Sequence, residues 1–271
     1  MILSNITFTA PTGDTITLGE LATSGGDRYG YTLGEFSINP APIPTYSANL
    51  PLIAGGVVVP ANRSIRLIEV SGTIVARTPS EANALRREFV GVVREFLGNS
   101  VIVSFTVEDI EKEITATVEG DVTFTPAGGF NLDYTARLVA GDPVAYSTTM
   151  STGTASAMPG TSLSNIGDAD VWPTLFVVVS GSVDAIRFGN GTIGKFLELA
   201  SLGATSGDEL TIVTQPGYES IELNGISIIN KLTVNSRFWP LGPGNNSVYH
   251  IVTAGAGSVS TSLTWRDGWV S

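Results

Sequence analysis

The chain contains no cysteine, so disulfides, thiolate zinc sites and a cysteine nucleophile are all excluded. Histidine is nearly absent too, with His250 the single example in 271 residues. A Ser–His–Asp triad would have to be built on it, and the G-x-S-x-G elbow that presents such a serine does not occur. His250 is therefore expected to be a packed or interfacial ring, and no enzymatic activity is expected. Charge is sparse, at 14% of residues, and the one local run of bases, Arg86, Arg87 and Arg94, is interleaved with Glu81, Glu88 and Glu95. Phosphate neutralisation needs clustered bases, so stable nucleic-acid binding is not expected. Long apolar runs are also missing, because Leu50–Ala61 is broken by Pro51, Gly55, Gly56 and Pro60. Residues 1–5 lack the basic flank and apolar core of a signal peptide, so a soluble product without secretion signal or membrane insertion is expected.

The sequence is instead rich in turn formers and acids. There are 31 Gly and 14 Pro, and 25 Asp and Glu against 14 Lys and Arg give a net charge of −11. The length suits two domains of ordinary size. Short β-branched runs alternate with Gly, Asn, Asp and Pro, which predicts sheets packed on sheets. Ile65–Ala76, Val101–Val107, Glu113–Thr125 and Phe130–Val139 read as strands, the last two joined by a turn at Pro126-Ala-Gly-Gly129. One helix interrupts the pattern. Thr78-Pro-Ser-Glu81 reads as a capping box with proline at the first helical position, and Gly98-Asn99 reads as the C-terminal cap. Between them Leu85, Phe89, Val92 and Phe96 fall on one apolar stripe, expected to lie on the helix's own sheet or partly on a neighbouring subunit.

Residues 147–166 carry no charge, many small side chains and no sustained periodicity, and read as a linker or surface arm. This places an N-terminal domain at 1–146 and a second domain at 167–271. In the second, Thr174–Ser180, Ala185–Phe188, Glu209–Val213, Ser220–Leu223, Ser247–Val252 and Ser258–Trp265 predict a β-sandwich. The fold class is thus mainly β, with one α-helix in the N-terminal domain.

Several short motifs of the second domain occur in a fixed order. They are Asp170-Val-Trp172-Pro, Gly207-Asp-Glu-Leu-Thr-Ile-Val213, Ser220-Ile-Glu-Leu-Asn224-Gly225, then the run Ser236 to Asn246 containing Trp239, Pro240, Pro243, Gly244 and Asn245, and finally Thr264-Trp265-Arg-Asp-Gly-Trp269. In this order they resemble the distal tail protein (Dit) family of siphoviruses. More loosely, the first half follows that family's ring-forming belt domain. The resemblance implies a galectin-like β-sandwich at the C-terminus and no cofactor. It further implies a homo-oligomeric ring, usually a hexamer, at the distal end of the tail in the virion, assembled in the host cytoplasm. Such a ring joins the tail-tube protein to the tail-associated hub or lysin protein, with DNA only as transiting cargo. Pro240-Leu-Gly-Pro-Gly244 has two fixed and two free φ angles and should hold a rigid turn, after which Asn245 or Asn246 can bond its own backbone. The four tryptophans are expected at the sandwich core and its ends.

Glu108, Asp109, Glu111 and Glu113, with Glu119 beyond, form the sharpest charge cluster, at a predicted hairpin turn. It reads as a solvated tip or, in a ring, as a carboxylate fringe facing the lumen. Calcium-loop spacing is absent from it, and Asp168 with Asp170 is a weak pair, so no metal site is expected. Asn235, Arg237, Trp239 and His250 form an imaginable sugar-binding set. The alternatives left open are another β-rich tail component, such as a tube or decoration subunit, and a carbohydrate-binding adhesin.

Overall fold

A computed structural model describes residues 6–24, 27–39, 45–49, 56–60, 65–94 and 100–270. Two units divide the chain: residues 1–146 with the final two residues, and residues 147–269.

The first unit contains β1 (Ile6–Thr9), β2 (Thr15–Leu18), β3 (Leu21–Ser24), β4 (Asp27–Tyr31), β5 (Glu35–Ile38), β6 (Thr45–Asn49), β7 (Gly56–Pro60), β8 (Arg66–Val75), α1 (Pro79–Arg94), β9 (Val101–Val107), β10 (Ile110–Val118), β11 (Thr123–Pro126) and β12 (Leu132–Ala140). β13 (Ala145–Ser147) then carries the chain into the second unit. The main sheet runs β2-β1-β9-β10-β12-β8-β4-β3, with β5 on β8 and β11 on β12. Period-two alternation sets its faces. Along β12, Tyr134, Ala136, Leu138 and Ala140 point inward while Asp133, Thr135 and Arg137 point out. On the outer face Arg137 lies 3.5 Å from both Glu69 and Glu119, so Glu119 belongs to a mid-sheet ion cluster and not to the hairpin tip.

Helix α1 starts where its cap predicts. Thr78 Oγ1 accepts from Glu81 N at 3.2 Å, and the Thr78 carbonyl accepts from Ala82 N at 3.0 Å. The returning Glu81 carboxylate takes the Arg77 amide at 2.7 Å, one residue earlier than a standard capping box, because the Arg77 guanidinium also grips it. Those hydrogen bonds hold the Glu81 carboxyl below the usual carboxylate range. Thr78→Ala should cost about 1 kcal/mol of unfolding free energy, read from urea unfolding.

The stripe of α1 packs on its own sheet. Phe89 is buried against Tyr134 (centroids 4.8 Å), Tyr31 (5.6 Å) and, edge-on, Phe124 (6.0 Å). Val92 is buried and Leu85 half-buried beside it. The Tyr31 hydroxyl donates toward the Leu85 carbonyl at 2.9 Å and Glu88 Oε2 at 3.2 Å. Burial and the Glu88 charge push that phenol well above its ordinary range. Phe96 and the Gly98-Asn99 cap lie outside the described residues.

The second unit contains β14 (Ser151–Ala157), β15 (Thr161–Asn165), β16 (Thr174–Ser180), β17 (Val183–Asn190), β18 (Lys195–Leu199), β19 (Glu209–Val213), β20 (Ser220–Leu223), β21 (Ile226–Ser227), β22 (Gly244–Gly255), β23 (Ser258–Trp265) and β24 (Gly268–Trp269). The order is β18-β17-β22-β14-β23-β16-β19-β20-β21, with β15 on β22. Leu175, Ile186, Phe188, Ile212, Val248 and Leu263 are among its fully buried side chains.

The segment expected to be a linker, 147–166, is instead two strands of this sheet. β14 pairs antiparallel with β23 over Ser151–Ala155 and then parallel with β22 at Ser156 and Ala157, while β15 pairs with β22. Thr152, Thr154, Ser156 and Ala157 of β14 are exposed, while Gly153 has no room for a side chain. A Cβ at Gly153 would meet Leu163 Cδ2 at 2.5 Å and Trp265 Cη2 at 3.3 Å. Exposure on one side and close packing at Gly153 leave β14 without the apolar alternation that announces a strand.

Candidate interaction elements and the turns that build them

The acidic cluster sits on a tight hairpin. Ile110 pairs with Val107, so Glu108 and Asp109 are the only turn residues, with φ of 52° and 62°. Two consecutive left-handed residues define the type I′ turn that suits the twist of a two-residue hairpin, a place normally taken by Asn-Gly. The same turn recurs between β20 and β21 with those preferred residues, Asn224 (φ 52°) and Gly225 (φ 78°). There Asn224 Oδ1 accepts from Glu209 N at 2.9 Å and its Nδ2 donates to Asp208 at 2.8 Å.

Glu108, Asp109 and Glu111 are exposed, and Glu113 is half-buried on the outer side of β10. Lys112, between them in sequence, points to the inner side and is buried. The hairpin therefore displays its acids at the tip and along one face. The left-handed backbone at Glu108 and Asp109 carries a conformational cost that Asn and Gly avoid. The double substitution Glu108→Asn with Asp109→Gly should raise the unfolding free energy by about 1 kcal/mol, seen as a higher urea midpoint at unchanged slope.

In the second unit the segment Trp239–Asn246 is held by three buried asparagines. Asn165 Nδ2 donates to the carbonyls of Ala169 (2.7 Å) and Leu241 (3.2 Å), while its Oδ1 accepts from Gly167 N (3.0 Å). Asn190 Nδ2 donates to the Pro240 carbonyl and to Asn246 Oδ1, both at 3.0 Å, and its Oδ1 accepts from Thr192 N at 3.1 Å. Asn246 Nδ2 donates to the carbonyls of Gly242 (2.7 Å) and Gly244 (3.0 Å), and its Oδ1 also accepts from Gly242 N (3.0 Å). Of the two asparagines expected to bond the turn, Asn246 is the one that does so; Asn245 is exposed. Pro240 is buried, while Pro243 and Gly244 (φ 82°) are exposed at the turn's outer end. Asn165 and Asn190 are not singled out by the sequence reading. Their signal is a buried-strand asparagine followed within two residues by glycine, Asn165-Ile-Gly167 and Asn190-Gly191.

The tryptophans differ in role. Trp239 is fully buried and donates Nε1 to the Phe188 carbonyl at 3.2 Å. It therefore offers no ring face to a sugar, and the set Asn235, Arg237, Trp239 and His250 is not a stacking site. Trp265 is buried and donates to Asp267 Oδ1 (3.2 Å), which also accepts from Ile166 N (3.1 Å), while Asp267 Oδ2 accepts from Ser151 (3.1 Å). Trp269 is buried, and Trp172 is half-buried. Among the described residues no group of three or more His, Cys, Asp or Glu side chains is placed to hold a metal ion.

No curated protein matches the chain. Among solved structures, the chain is similar to the crystal structure of the Dit protein of phage SPP1, described there as a paradigm of the hub adsorption apparatus in phages infecting Gram-positive bacteria. The TM-score is 0.67 at 17% identity, covering 97% of this chain and 98% of that one. The baseplate of phage P2, in its activated conformation with Ca, matches over the same shares at 12% identity and a TM-score of 0.36. Residues 166–269 match the family model of the siphovirus-type tail component, C-terminal domain. Residues 166–269 are thus similar to the C-terminal domain of siphovirus-type tail components, and the fold resembles that of SPP1 Dit along nearly the whole chain.

Proposed function

We propose that the chain is a structural subunit of the siphovirus tail that closes into a homo-oligomeric ring, most simply a hexamer, joining the tail tube to the tip hub. The observation that carries the reading is the family match over residues 166–269. A fold shared with SPP1 Dit from end to end supports extending it to the belt-like first unit. In this reading the first unit forms the ring and the galectin-like second unit serves as a folded platform. The partners are further copies of the chain, the tail-tube protein and the tail-associated hub or lysin protein. Function resides in interface geometry, without catalysis or cofactor, at the distal tail end of a virion assembled in the host cytoplasm.

A closed ring repeats each surface feature around its axis. If the β9–β10 tip faces the lumen, Glu108, Asp109, Glu111 and Glu113 become a ring of carboxylates that repels the phosphates of transiting DNA and favours sliding. Negative-stain electron microscopy of the purified protein tests the assembly: closed rings with an open centre are expected, and a strictly monomeric particle would refute it.

A further inference from the structure

The glutamates that interleave Arg86 and Arg87 in the sequence do not neutralise them in the structure. Glu81 is held by Arg77, and Glu88 lies 3.2 Å from the Tyr31 hydroxyl. Charges on a helix pair with neighbours three and four residues away. For Arg87 these are Asn83, Ala84, Val90 and Gly91, and for Arg86 they are Ala82, Asn83, Phe89 and Val90, with no acid in either set. Both arginines are exposed and make no ion pair among the described residues; Arg86 stacks over the Phe124 ring, 5.1 Å from its centroid.

The outermost line of α1 is Ser80, Ala84, Arg87 and Gly91, spaced by three and four residues and all exposed. A glycine inside a helix is destabilising relative to alanine, and nothing within the chain requires this one. A Cβ at Gly91 would meet nothing within 4 Å beyond the helix's own backbone. The face of α1 turned away from its sheet therefore has an unpaired guanidinium between two small residues, a shape that admits the close approach of another backbone.

The opposite charge stands at the far end of β9. Glu108 and Asp109 are exposed and have no ion pair among the described residues. β9 holds them about 20 Å from Val101, the end of the strand nearer α1 in the chain. Their left-handed backbone is one that Asn-Gly adopts at lower cost, so the turn itself gains nothing from the two carboxylates.

We propose that the outer face of α1 is the docking surface for the β9–β10 tip of a second copy of this chain, with Arg86 and Arg87 meeting Glu108 and Asp109 and the tip passing over Gly91. This contact rests on the ring reading and names the surfaces that join its subunits. A closed ring requires two different, complementary faces on each subunit, and the first unit carries one of each sign. The tip then lies between subunits, in place of a carboxylate fringe in the lumen.

The test is assembly of the full chain, followed by analytical ultracentrifugation and negative-stain microscopy. Raising NaCl from about 50 mM to about 500 mM should dissociate the rings, because exposed charge pairs are screened. Arg86→Glu with Arg87→Glu should raise the protein concentration needed for half-assembly by at least about tenfold, with an unchanged thermal melt. Glu108→Lys with Asp109→Lys should do the same. An equimolar mixture of the two charge-reversed variants should form rings again, since each offers the other a complementary face. Glu108→Asn with Asp109→Gly should raise the urea midpoint and yet weaken assembly, and Gly91→Gln should weaken assembly without lowering the melt. Rings that persist unchanged in both charge-reversed variants would overturn this contact and leave the ring reading standing; a mixture that fails to reassemble would also overturn it. A parent chain that forms no rings would remove the ring reading and this contact together.

Discussion

Asn246→Leu is expected to remove about 4 kcal/mol from the stability of the second unit, although the two side chains are close in size. Leucine can satisfy none of the groups that Asn246 engages: the Gly242 amide, the Gly242 and Gly244 carbonyls, and the Asn190 side-chain amide. An unpaired buried polar group costs about 1–3 kcal/mol, and even with partial relief from water the sum stays large. The damage should spread, because the same turn positions Trp239, whose indole is anchored on Phe188. Near-UV circular dichroism and tryptophan fluorescence would report it, together with a lower urea midpoint. Asn245→Leu, at the exposed neighbour, is the control and should fall within about 0.5 kcal/mol of the parent. Equal effects at the two positions would contradict the network.

Gly72→Ala should be nearly as costly, at about 3 kcal/mol, in the first unit. Gly72 lies opposite Tyr134 in the β8–β12 ladder, with the phenol crossing over it to donate to the Thr32 carbonyl at 2.7 Å. An added Cβ would collide with both the Thr32 carbonyl and the Tyr134 hydroxyl. The second unit repeats the device: Gly189 lies opposite Tyr249, and a Cβ there would strike the Tyr249 ring. The difference lies in what blocks each position. Because the Thr32 carbonyl is backbone, Tyr134→Phe should fail to relieve Gly72→Ala. At Gly189 the nearest obstacles are side-chain atoms, so Tyr249→Ala should partly relieve Gly189→Ala. Thermal melts of the single and double variants separate the two cases.

These positions show where the sequence was legible. The strands of the sheets announced themselves by alternation, as in Tyr134, Ala136 and Leu138, and α1 by its cap and stripe. The order of tryptophan, proline and glycine motifs after residue 167 was enough to indicate the tail-component family whose model matches residues 166–269, because turns depend on local residue chemistry that a sequence displays directly. The linker reading failed for the opposite reason. β14 exposes Thr152, Thr154, Ser156 and Ala157 and has Gly153 under Leu163 and Trp265, so its run of small and polar residues resembles a flexible segment. Asn165 and Asn190 were equally hidden, since only three-dimensional proximity shows that residues 50 or more positions away supply the carbonyls they bond. The acidic turn was found by charge, but its left-handed backbone was not, because Glu-Asp is not a pair that advertises a type I′ turn.

The most direct test of the central claim is immunogold electron microscopy of virions carrying this protein, using antibody raised against the purified chain. Gold at the end of each tail farthest from the capsid, between tube and tip, is the expected result. Label along the tail shaft or on the capsid, with the distal end bare, would contradict the account.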